Sequence, residues 1–243
     1  MDQSKIYNNF WKYLEIQKPE NWSTWEIVKD FQGKRILELG PGNYPKTPLE
    51  NGCFLEISKE AVENLKKLGA NAILGDIINL PFENNFFDLA VAIEVLEHIK
   101  DDSKAFSEIA RVLKPNGFFL FSVPLRMDLF DAFDTAVGHE RRYEIENLIF
   151  LTSKSGLEIL KYRGPSIFSK LINRAARATS LKKTIFKKGL HKNILSSKSI
   201  ANTYSRLMVF SDRKGAPRWE NDIENLSKYK EDSIVIFCQK KNI

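Results

Sequence analysis

Arg35-Ile36-Leu37-Glu38-Leu39-Gly40-Pro41-Gly42 is the stretch that decides the fold of this chain of 243 residues. A short apolar run carries one carboxylate, Glu38, and is followed by two glycines spaced by a single residue. The run predicts a buried parallel strand. The glycines predict a tight turn in which the backbone can approach a ligand closely.

Acidic residues also close the next two apolar runs. Glu56 follows residues 53–55 and Asp76 follows residues 72–75. Because ligands of parallel α/β sheets bind at the carboxyl ends of the strands, and carboxylates there accept hydrogen bonds from ribose hydroxyls, this layout predicts a nucleoside-binding sheet. A dinucleotide fingerprint would place a third glycine at position 45. Pro45 stands there, which argues against a pyrophosphate-binding helix N-terminus and against NAD.

Five segments occur in a fixed order and spacing. Each segment alone is found in many proteins, but the set of five is specific for one family. They are Glu38–Gly42, Gly75–Phe82, Phe87–Ala92, Glu94–Ile99 and Arg111–Gly117. Together they resemble the class I S-adenosylmethionine-dependent methyltransferases, in particular the type 11 branch that acts on small molecules. The resemblance implies an α/β fold with a Rossmann-like, doubly wound sheet of seven strands. The sheet would be mostly parallel, with the last strand antiparallel between strands five and six.

The resemblance also implies S-adenosylmethionine as the cofactor and assigns residues to it. The methionine portion would meet Glu38, Gly40, Gly42 and Glu94, the ribose hydroxyls Glu56, and the adenine Ile57, Asp76 and Ile77. The alternative for the carboxylates of Glu56 and Asp76 is that they are solvated strand ends.

One segment departs from the family. Tyr44 stands where a third glycine is usual, and only residues 43–52, with Pro45 and Pro48, separate the turn from the second strand. Proline tolerates at most a first helical turn, so we expect the first crossover helix to be short or missing. Asn43 and Tyr44 would then supply side chains to the cofactor where relatives supply backbone. The alternative is that Tyr44 merely packs.

Methyl transfer from a sulfonium needs in-line positioning and, for a hydroxyl acceptor, a base. His139 lies in a loop that forms part of the acceptor wall in the family, and histidine is a side chain suited to act as a base near neutral pH. The same loop supplies candidate acceptor-binding side chains: Arg141, Arg142 and Tyr143. The alternative is a structural turn before the next helix. His98 stands where the family often has a histidine and is the other candidate base, but we expect it to pack at a helix start.

Cap residues predict several helix boundaries. Ser58 is expected to cap a helix that Gly69 ends, and Asp101 or Asp102 to start another. Asn21 or Ser23 could cap a helix that runs to Phe31, within a predicted pair of cap helices in residues 1–31.

The net charge of +6 conceals an asymmetry. Residues 161–218 contain 15 Lys and Arg against one acid, Asp212, so the rest of the chain is acidic. This split predicts a basic surface that faces an anionic partner.

About seventy residues separate strands six and seven, which is too long for a structureless loop. We therefore predict a basic helical insertion at residues 163–231. The methyltransferase domain would comprise residues 1–162 plus 232–243. The first inserted helix would oppose an apolar face to a basic one, the pattern of an interfacial helix. The apolar face is Ile167, Phe168, Leu171, Ile172 and Ala175, and the basic face is Lys170, Arg174 and Arg177.

Three functions follow from these observations. The leading one is a methyltransferase for a small or lipid-linked acceptor, with the insertion as a lid that contacts anionic membrane. The second is an RNA methyltransferase whose insertion tracks phosphates. Residues 93–96 lack the Asn/Asp-Pro-Pro-aromatic motif of base-amino methyltransferases, which disfavours nucleic acid. The third is a non-catalytic cofactor-binding module. The apolar face could also pack on the domain or on a second subunit.

The sequence also sets expectations about location and metals. No N-terminal signal pattern and no membrane-spanning apolar run are present. Cys53 and Cys238 fall in separate predicted strands, which the resemblance places far apart in the sheet, so a disulfide is not expected and a cytoplasmic location fits. No Cys/His spacing predicts zinc or an iron–sulfur cluster, so we expect no metal.

Overall fold

The computed structural model describes residues 15–166, 209–210, 212–213 and 216–242. The predicted first N-terminal helix falls almost wholly on residues 1–14, outside the described residues. The first inserted helix, with its apolar and basic faces, also lies outside them.

One sheet of seven strands organises the chain, in the order β3-β2-β1-β4-β5-β7-β6. Strand β7 runs antiparallel to both β5 and β6, and the other pairings are parallel. The predicted fold class is therefore confirmed. The strands are β1 (Ile36–Leu39), β2 (Gly52–Glu56), β3 (Asn71–Leu74), β4 (Phe87–Ile93), β5 (Leu113–Pro124), β6 (Leu157–Arg163) and β7 (Ser233–Lys240).

Five α-helices and several single 3-10 turns connect these strands within the described residues. The α-helices are α1 (Trp25–Val28), α2 (Lys59–Lys67), α3 (Asp102–Val112), α4 (Ala132–Val137) and α5 (Ile145–Lys154). The 3-10 turns are Pro19–Asn21, Lys29–Phe31, Leu96–His98, Met127–Leu129 and Ile223–Lys228.

Side-chain caps begin the two longer crossover helices as predicted. Ser58 Oγ accepts a hydrogen bond of 3.3 Å from the amide of Ala61, and Asp101 Oδ1 accepts one of 3.0 Å from Lys104. Each bond satisfies an amide that the first helical turn leaves without a partner.

The cap predicted for α1 was wrong. The residue before α1 is Thr24, whose side chain makes no cap bond. The hydroxyl of Ser23, one of the two predicted caps, instead donates to Asp212 Oδ1 (3.0 Å), and its amide donates to Oδ2 (2.7 Å). The Ser23 hydroxyl therefore bonds to a residue distant in sequence, Asp212, and not to the first turn of the helix.

Strand β4 is buried on both faces. Leu89 and Val91 belong to a cluster with α1, whereas Ala90 and Ala92 belong to the larger cluster that contains α3 and α5. This two-sided burial explains the continuous apolar run, because a central parallel strand has no solvent-facing side. It also fixes the ends of β1 and β4 side by side, where the candidate site lies.

The connection from β1 to β2 contains no helix, as predicted. Residues 40–51 form turns and irregular backbone. Pro45 and Pro48 remove two amide donors from this stretch, so a regular crossover helix could not complete its hydrogen bonds.

The chain just before β7 packs on the sheet. Glu220 and Tyr162 of β6 exchange backbone hydrogen bonds of 2.8 and 2.9 Å. Leu226 is fully buried in the main core cluster. The described residues at both ends of the predicted insertion therefore contact the sheet. Arg163, its first residue, is the last residue of β6. Among the described residues, none of the helices has the length and apolar character to cross a membrane.

Candidate active site

The glycine turn after β1 depends on two left-handed residues. Gly40 has φ +60° and Gly42 has φ +54°. A Cβ on Gly40 would also lie 2.9 Å from Val95 Cγ2. Only glycine combines this backbone with so close an approach. The turn therefore lies tight against the chain that leaves β4.

Glu56, at the end of β2, ties this turn in place. Its Oε2 accepts a hydrogen bond of 2.9 Å from the amide of Gly42, and its Oε1 accepts one of 2.9 Å from Ser58. The residue is only 4% exposed. Burial raises the pKa of the carboxyl, and the two backbone hydrogen bonds oppose that rise.

Glu38 organises the loop that replaces the crossover helix. Its carboxylate accepts bonds from the amides of Lys46 (2.8 and 3.0 Å) and Thr47 (2.9 Å), and from Thr47 Oγ1 (2.7 Å). Burial raises the pKa of Glu38 to about 7, against the opposing effects of Lys46 and Thr47. Glu38 thus satisfies the loop amides that a helix would have satisfied itself.

Lys46 is a site residue that the sequence reasoning missed. Its Nζ donates to the carbonyl of Tyr44 (2.6 Å) and lies 3.5 Å from the centroid of the Trp22 ring. Burial lowers its pKa to about 8, although the neighbouring Glu38 carboxyl opposes that change. Nothing in the local sequence marks this lysine, because Trp22 comes from the segment before α1 and Glu38 from β1, and only the Tyr44 carbonyl is a local partner.

Asn43 and Tyr44 both lie in the same loop. Asn43 is 1% exposed and its Oδ1 accepts a bond of 3.4 Å from Asn64 of α2. The Tyr44 ring lies 5.6 Å from the Trp22 ring. These contacts support the packing alternative for Tyr44.

A cleft opens at the carboxyl ends of β1 to β4. Ile57 is 39% exposed there, so its side chain offers apolar surface to the cleft. Six of the ten predicted cofactor residues line this cleft: Gly40, Glu56, Ile57, Asp76, Ile77 and Glu94. Glu38, Gly42, Asn43 and Tyr44 do not line it.

Glu94 closes β4 in a strained conformation, with φ +55°. Ser122 Oγ of β5 donates a bond of 2.6 Å to its Oε1. The residue faces the cleft, yet the surrounding walls desolvate the carboxyl and raise its pKa. Such strain is retained where neighbouring strands fix the backbone, and Glu94 is one of the residues that line the cleft.

Two histidines meet beside the cleft. The rings of His98 and His139 lie 4.6 Å apart, edge to face. His98 lines the cleft, and burial lowers its pKa to about 4. Nδ1 of His139 lies 2.8 Å from Asp134 Oδ1. The sequence predicted His139 but not its partner Asp134, which is fully buried in α4.

Glu97 completes this group and was also missed. The side chain is fully buried, and neither oxygen has a hydrogen-bond partner among the described residues. Burial, and then the nearby Glu94 carboxylate, raise the pKa of Glu97 well above its usual value. Its Oε1 lies 3.9 Å from His98 Nε2 and 3.8 Å from His139 Nε2.

The three predicted acceptor-binding residues make contacts within the protein. Arg141 pairs with Asp102 and donates to the carbonyl of Lys100 (2.8 Å). Arg142, 8% exposed, lies 2.9 Å from Asp134 Oδ1. Tyr143 is 2% exposed and its hydroxyl donates to the carbonyl of Leu96 (3.1 Å). These placements favour the structural alternative for Arg141 and Tyr143.

Comparison with known proteins agrees with this geometry. Residues 38–121 match the family profile Methyltransf_11, a methyltransferase domain. The solved structure of a S-adenosylmethionine-dependent methyltransferase from Thermotoga maritima, a possible histamine N-methyltransferase, superposes with a TM-score of 0.56. It has 19% identity over 89% of this chain and 93% of that one.

Curated relatives carry different acceptors in their names. A tRNA (carboxymethyluridine(34)-5-O)-methyltransferase of Arabidopsis thaliana is 35% identical over 97 residues, 37% of this chain and 24% of that protein. A sterol 24-C-methyltransferase of Gibberella zeae is 35% identical over 106 residues, 44% of this chain and 26% of that protein. The chain thus matches only about a quarter of each of these two enzymes.

A third relative matches over a greater length. An uncharacterized protein of Methanocaldococcus jannaschii is 31% identical over 164 residues, 60% of this chain and 71% of that protein. Profile, topology and the cleft at the ends of β1 to β4 converge, and the chain belongs to the class I S-adenosylmethionine-dependent methyltransferases.

Proposed function

We propose that this protein transfers a methyl group from S-adenosylmethionine to a small or lipid-linked acceptor. The observation that carries this proposal is the cleft at the strand ends, which is lined by Asp76 and by Glu56, the residue bonded to the glycine turn. Ile57 lines the same cleft and offers an exposed apolar surface suited to an adenine face. Ribose hydroxyls would donate to Glu56, and the adenine amino group to Asp76.

The cofactor pocket would orient the sulfonium toward Glu94 and His98, which line the same cleft. The acceptor would enter there. His139 stays our candidate for the group that assists deprotonation. Its Nδ1 contacts Asp134, so Nε2 is the nitrogen through which it would act, on the side that faces Glu97.

The basic segment supports an anionic acceptor or surface. Fifteen Lys and Arg in residues 161–218 would attract a lipid headgroup or anionic membrane at about 1 kcal/mol for each side chain near the surface. The apolar positions between 167 and 175 favour a lipid interface, because a nucleic-acid surface needs charge and stacking rather than a coherent apolar face.

RNA is the second candidate acceptor. The Arabidopsis relative is named as a tRNA methyltransferase, and a basic segment is the electrostatic footprint expected of RNA binding. A non-catalytic cofactor-binding role is the third candidate, and a turnover measurement separates it from the other two.

The decisive experiment offers the full chain radiolabelled S-adenosylmethionine together with three acceptor pools: a lipid extract, total tRNA and a small-metabolite fraction. We expect label in lipid or small metabolites and co-sedimentation with anionic liposomes at low salt. Label in tRNA without liposome binding would select the RNA reading. Cofactor binding without label in any pool would favour the binding module. An E56A variant controls for transfer that does not use the cleft.

A further inference from the structure

Three side chains from distant parts of the sequence converge beside the cofactor cleft. Glu97 and His98 come from the 3-10 turn after β4, and His139 follows α4. One ligand-type atom from each lies within 4.8 Å of the other two. Forty-one positions separate His98 from His139, so no local Cys/His spacing could reveal the group.

The hydrogen bonds of the two rings fix their tautomers. Nδ1 of His98 lies 3.1 Å from the carbonyl oxygen of Gly138, which can only accept, so this nitrogen carries the hydrogen. Nδ1 of His139 lies 2.8 Å from the Asp134 carboxylate and carries the hydrogen for the same reason. In the neutral rings both Nε2 lone pairs therefore face Glu97.

Glu97 brings a third set of lone pairs to the same point. Its side chain is fully buried, and its two oxygens accept no hydrogen bond from the described part of the chain. The charge of Arg142 acts on Glu97 and opposes the rise in its pKa, but the Arg142 guanidinium is paired with Asp134 at 2.9 Å. The Glu97 carboxyl and the two Nε2 atoms thus converge on one point, and a cation bound between them would be attracted by all three groups.

We propose that Glu97, His98 and His139 bind one divalent transition-metal ion at the wall of the cofactor cleft. Two imidazole nitrogens and one carboxylate are a common ligand set for zinc and for other first-row metals. Two atoms each about 2.1 Å from one ion lie at most about 4.2 Å apart. The Glu97 contacts of 3.8 and 3.9 Å meet that limit, and the third pair lies within 4.8 Å.

The outer contacts match what metal-binding histidines use. Each ring donates its other N–H to a carboxylate or a backbone carbonyl, which orients the ring and raises its basicity as a ligand. Asp134 is fully buried and receives a second bond from Arg142, so it is held in position for this task.

The role of the ion rests on the proposed methyl transfer. His98 lines the cleft, so an acceptor in the cleft could reach the open coordination positions. An acceptor hydroxyl bound there would lose its proton to solvent more easily, because the metal lowers the pKa of an oxygen it holds. With the ion bound, Nε2 of His139 would be a ligand, and His139 would assist deprotonation through the metal rather than as the base itself. The oxygen would then bond to the methyl carbon while the carbon–sulfur electron pair passes to sulfur. A metal here therefore favours an oxygen acceptor.

Metal binding is testable without any acceptor. The chelator-treated full chain is titrated with Zn²⁺ by calorimetry, and Co²⁺ is added separately to record the visible absorption of a histidine-ligated ion. We expect one ion per chain. H98A and H139A should each weaken Zn²⁺ binding at least about tenfold, and D134N by about 10- to 100-fold, the usual effect of losing an outer partner.

Controls separate this site from adventitious binding. H191A removes the chain's remaining histidine and should bind Zn²⁺ like the wild type. Circular dichroism confirms folding of each variant. The Co²⁺ spectrum of the wild type reports histidine ligation directly, so this part of the test does not depend on the folding of any variant. Absence of one-to-one binding in a folded wild type, or binding unchanged in H98A and H139A, would overturn the proposal. Binding of S-adenosylhomocysteine is measured separately. A chain that binds this ligand but no Zn²⁺ would contradict the metal site and leave the proposed function standing.

Discussion

The amide of Gly42 donates a hydrogen bond of 2.9 Å to Oε2 of Glu56, 14 positions along the chain. The bond joins the turn after β1 to the end of β2 without the helix that usually separates them. The carboxylate proposed to hold the ribose is therefore also the group that fixes the glycine turn. Binding of the cofactor and the shape of this turn should change together.

Replacement of Glu56 by alanine tests this link. E56A should weaken binding of S-adenosylmethionine and its demethylated product by about 1.5–3 kcal/mol, because a hydrogen bond to a charged group is lost. Isothermal titration calorimetry measures the affinity. E63A removes an exposed carboxylate of neighbouring α2 and should bind normally.

NAD is the matched negative ligand. The β1–β2 connection offers no helix N-terminus for a pyrophosphate, so NAD should give no heat. Unchanged affinity in E56A, or heat with NAD but none with either sulfur ligand, would count against the cofactor assignment.

The buried Glu38 carboxyl should make stability depend on pH. Its pKa is raised by burial to about 7, above an ordinary value of 4.5. The folded state therefore holds a proton that the unfolded state releases, and its contribution to stability is full below pH 4.5. This contribution is lost as the pH rises through 7.

E38Q removes that titration. Relative to E38Q, the wild type should lose about 1–3 kcal/mol of unfolding free energy between pH 5 and pH 7.5, following about 1.4 kcal/mol for each pK unit. Urea unfolding at both values measures the difference, and the comparison cancels the other buried acids. Parallel pH profiles for the two proteins would show that Glu38 stays ionised in the folded state.

Much of the fold follows from local pattern. The alternation of apolar runs and capped helices placed the strands of the sheet, and Ser58 and Asp101 marked the helix starts because their partners lie three residues away. Pro45 and Pro48 likewise identified the missing crossover helix. Interactions between residues close in sequence can be predicted, since both partners belong to the same short segment.

The parts that escaped prediction depend on contacts between distant segments. Ser23 was expected to cap a helix but binds Asp212, 189 positions away. Lys46 lies over Trp22, and Glu97 meets His139, in pairings that only the assembled sheet creates. Burial decides the chemistry of these groups, and burial of a single side chain cannot be inferred from its neighbours in sequence.

Substitution of Tyr143 can distinguish a structural role of this residue from an acceptor-binding role. Its buried hydroxyl donates to the carbonyl of Leu96 and lies 3.1 Å from Asp102 Oδ2. Y143F should lower the unfolding free energy by about 1–1.5 kcal/mol, since the Leu96 carbonyl would lose its partner. The KM for the acceptor should stay unchanged in steady-state kinetics. A large rise in KM at normal stability would restore Tyr143 to the acceptor wall.

The last prediction concerns the single acid of the basic segment. Ser23 Oγ donates to Asp212 Oδ1 (3.0 Å) and accepts from Arg163 Nη2 (2.8 Å), and Arg163 is only 2% exposed. Asp212 thus connects the basic segment with the chain before α1 and with the end of β6. A double-mutant cycle of S23A and D212A should give a coupling of about 1–2 kcal/mol in urea unfolding.

A local readout shows where this coupling acts. D212A should speed trypsin cleavage after Arg213, because the contacts that hold this part of the chain against Ser23 would be lost. D30A removes an exposed carboxylate that lies near α1 and should leave the cleavage rate unchanged. Additive single-mutant effects, together with equal cleavage rates in D212A and D30A, would show that Asp212 does not anchor the segment. The basic segment would then not be held to the chain before α1 through Asp212.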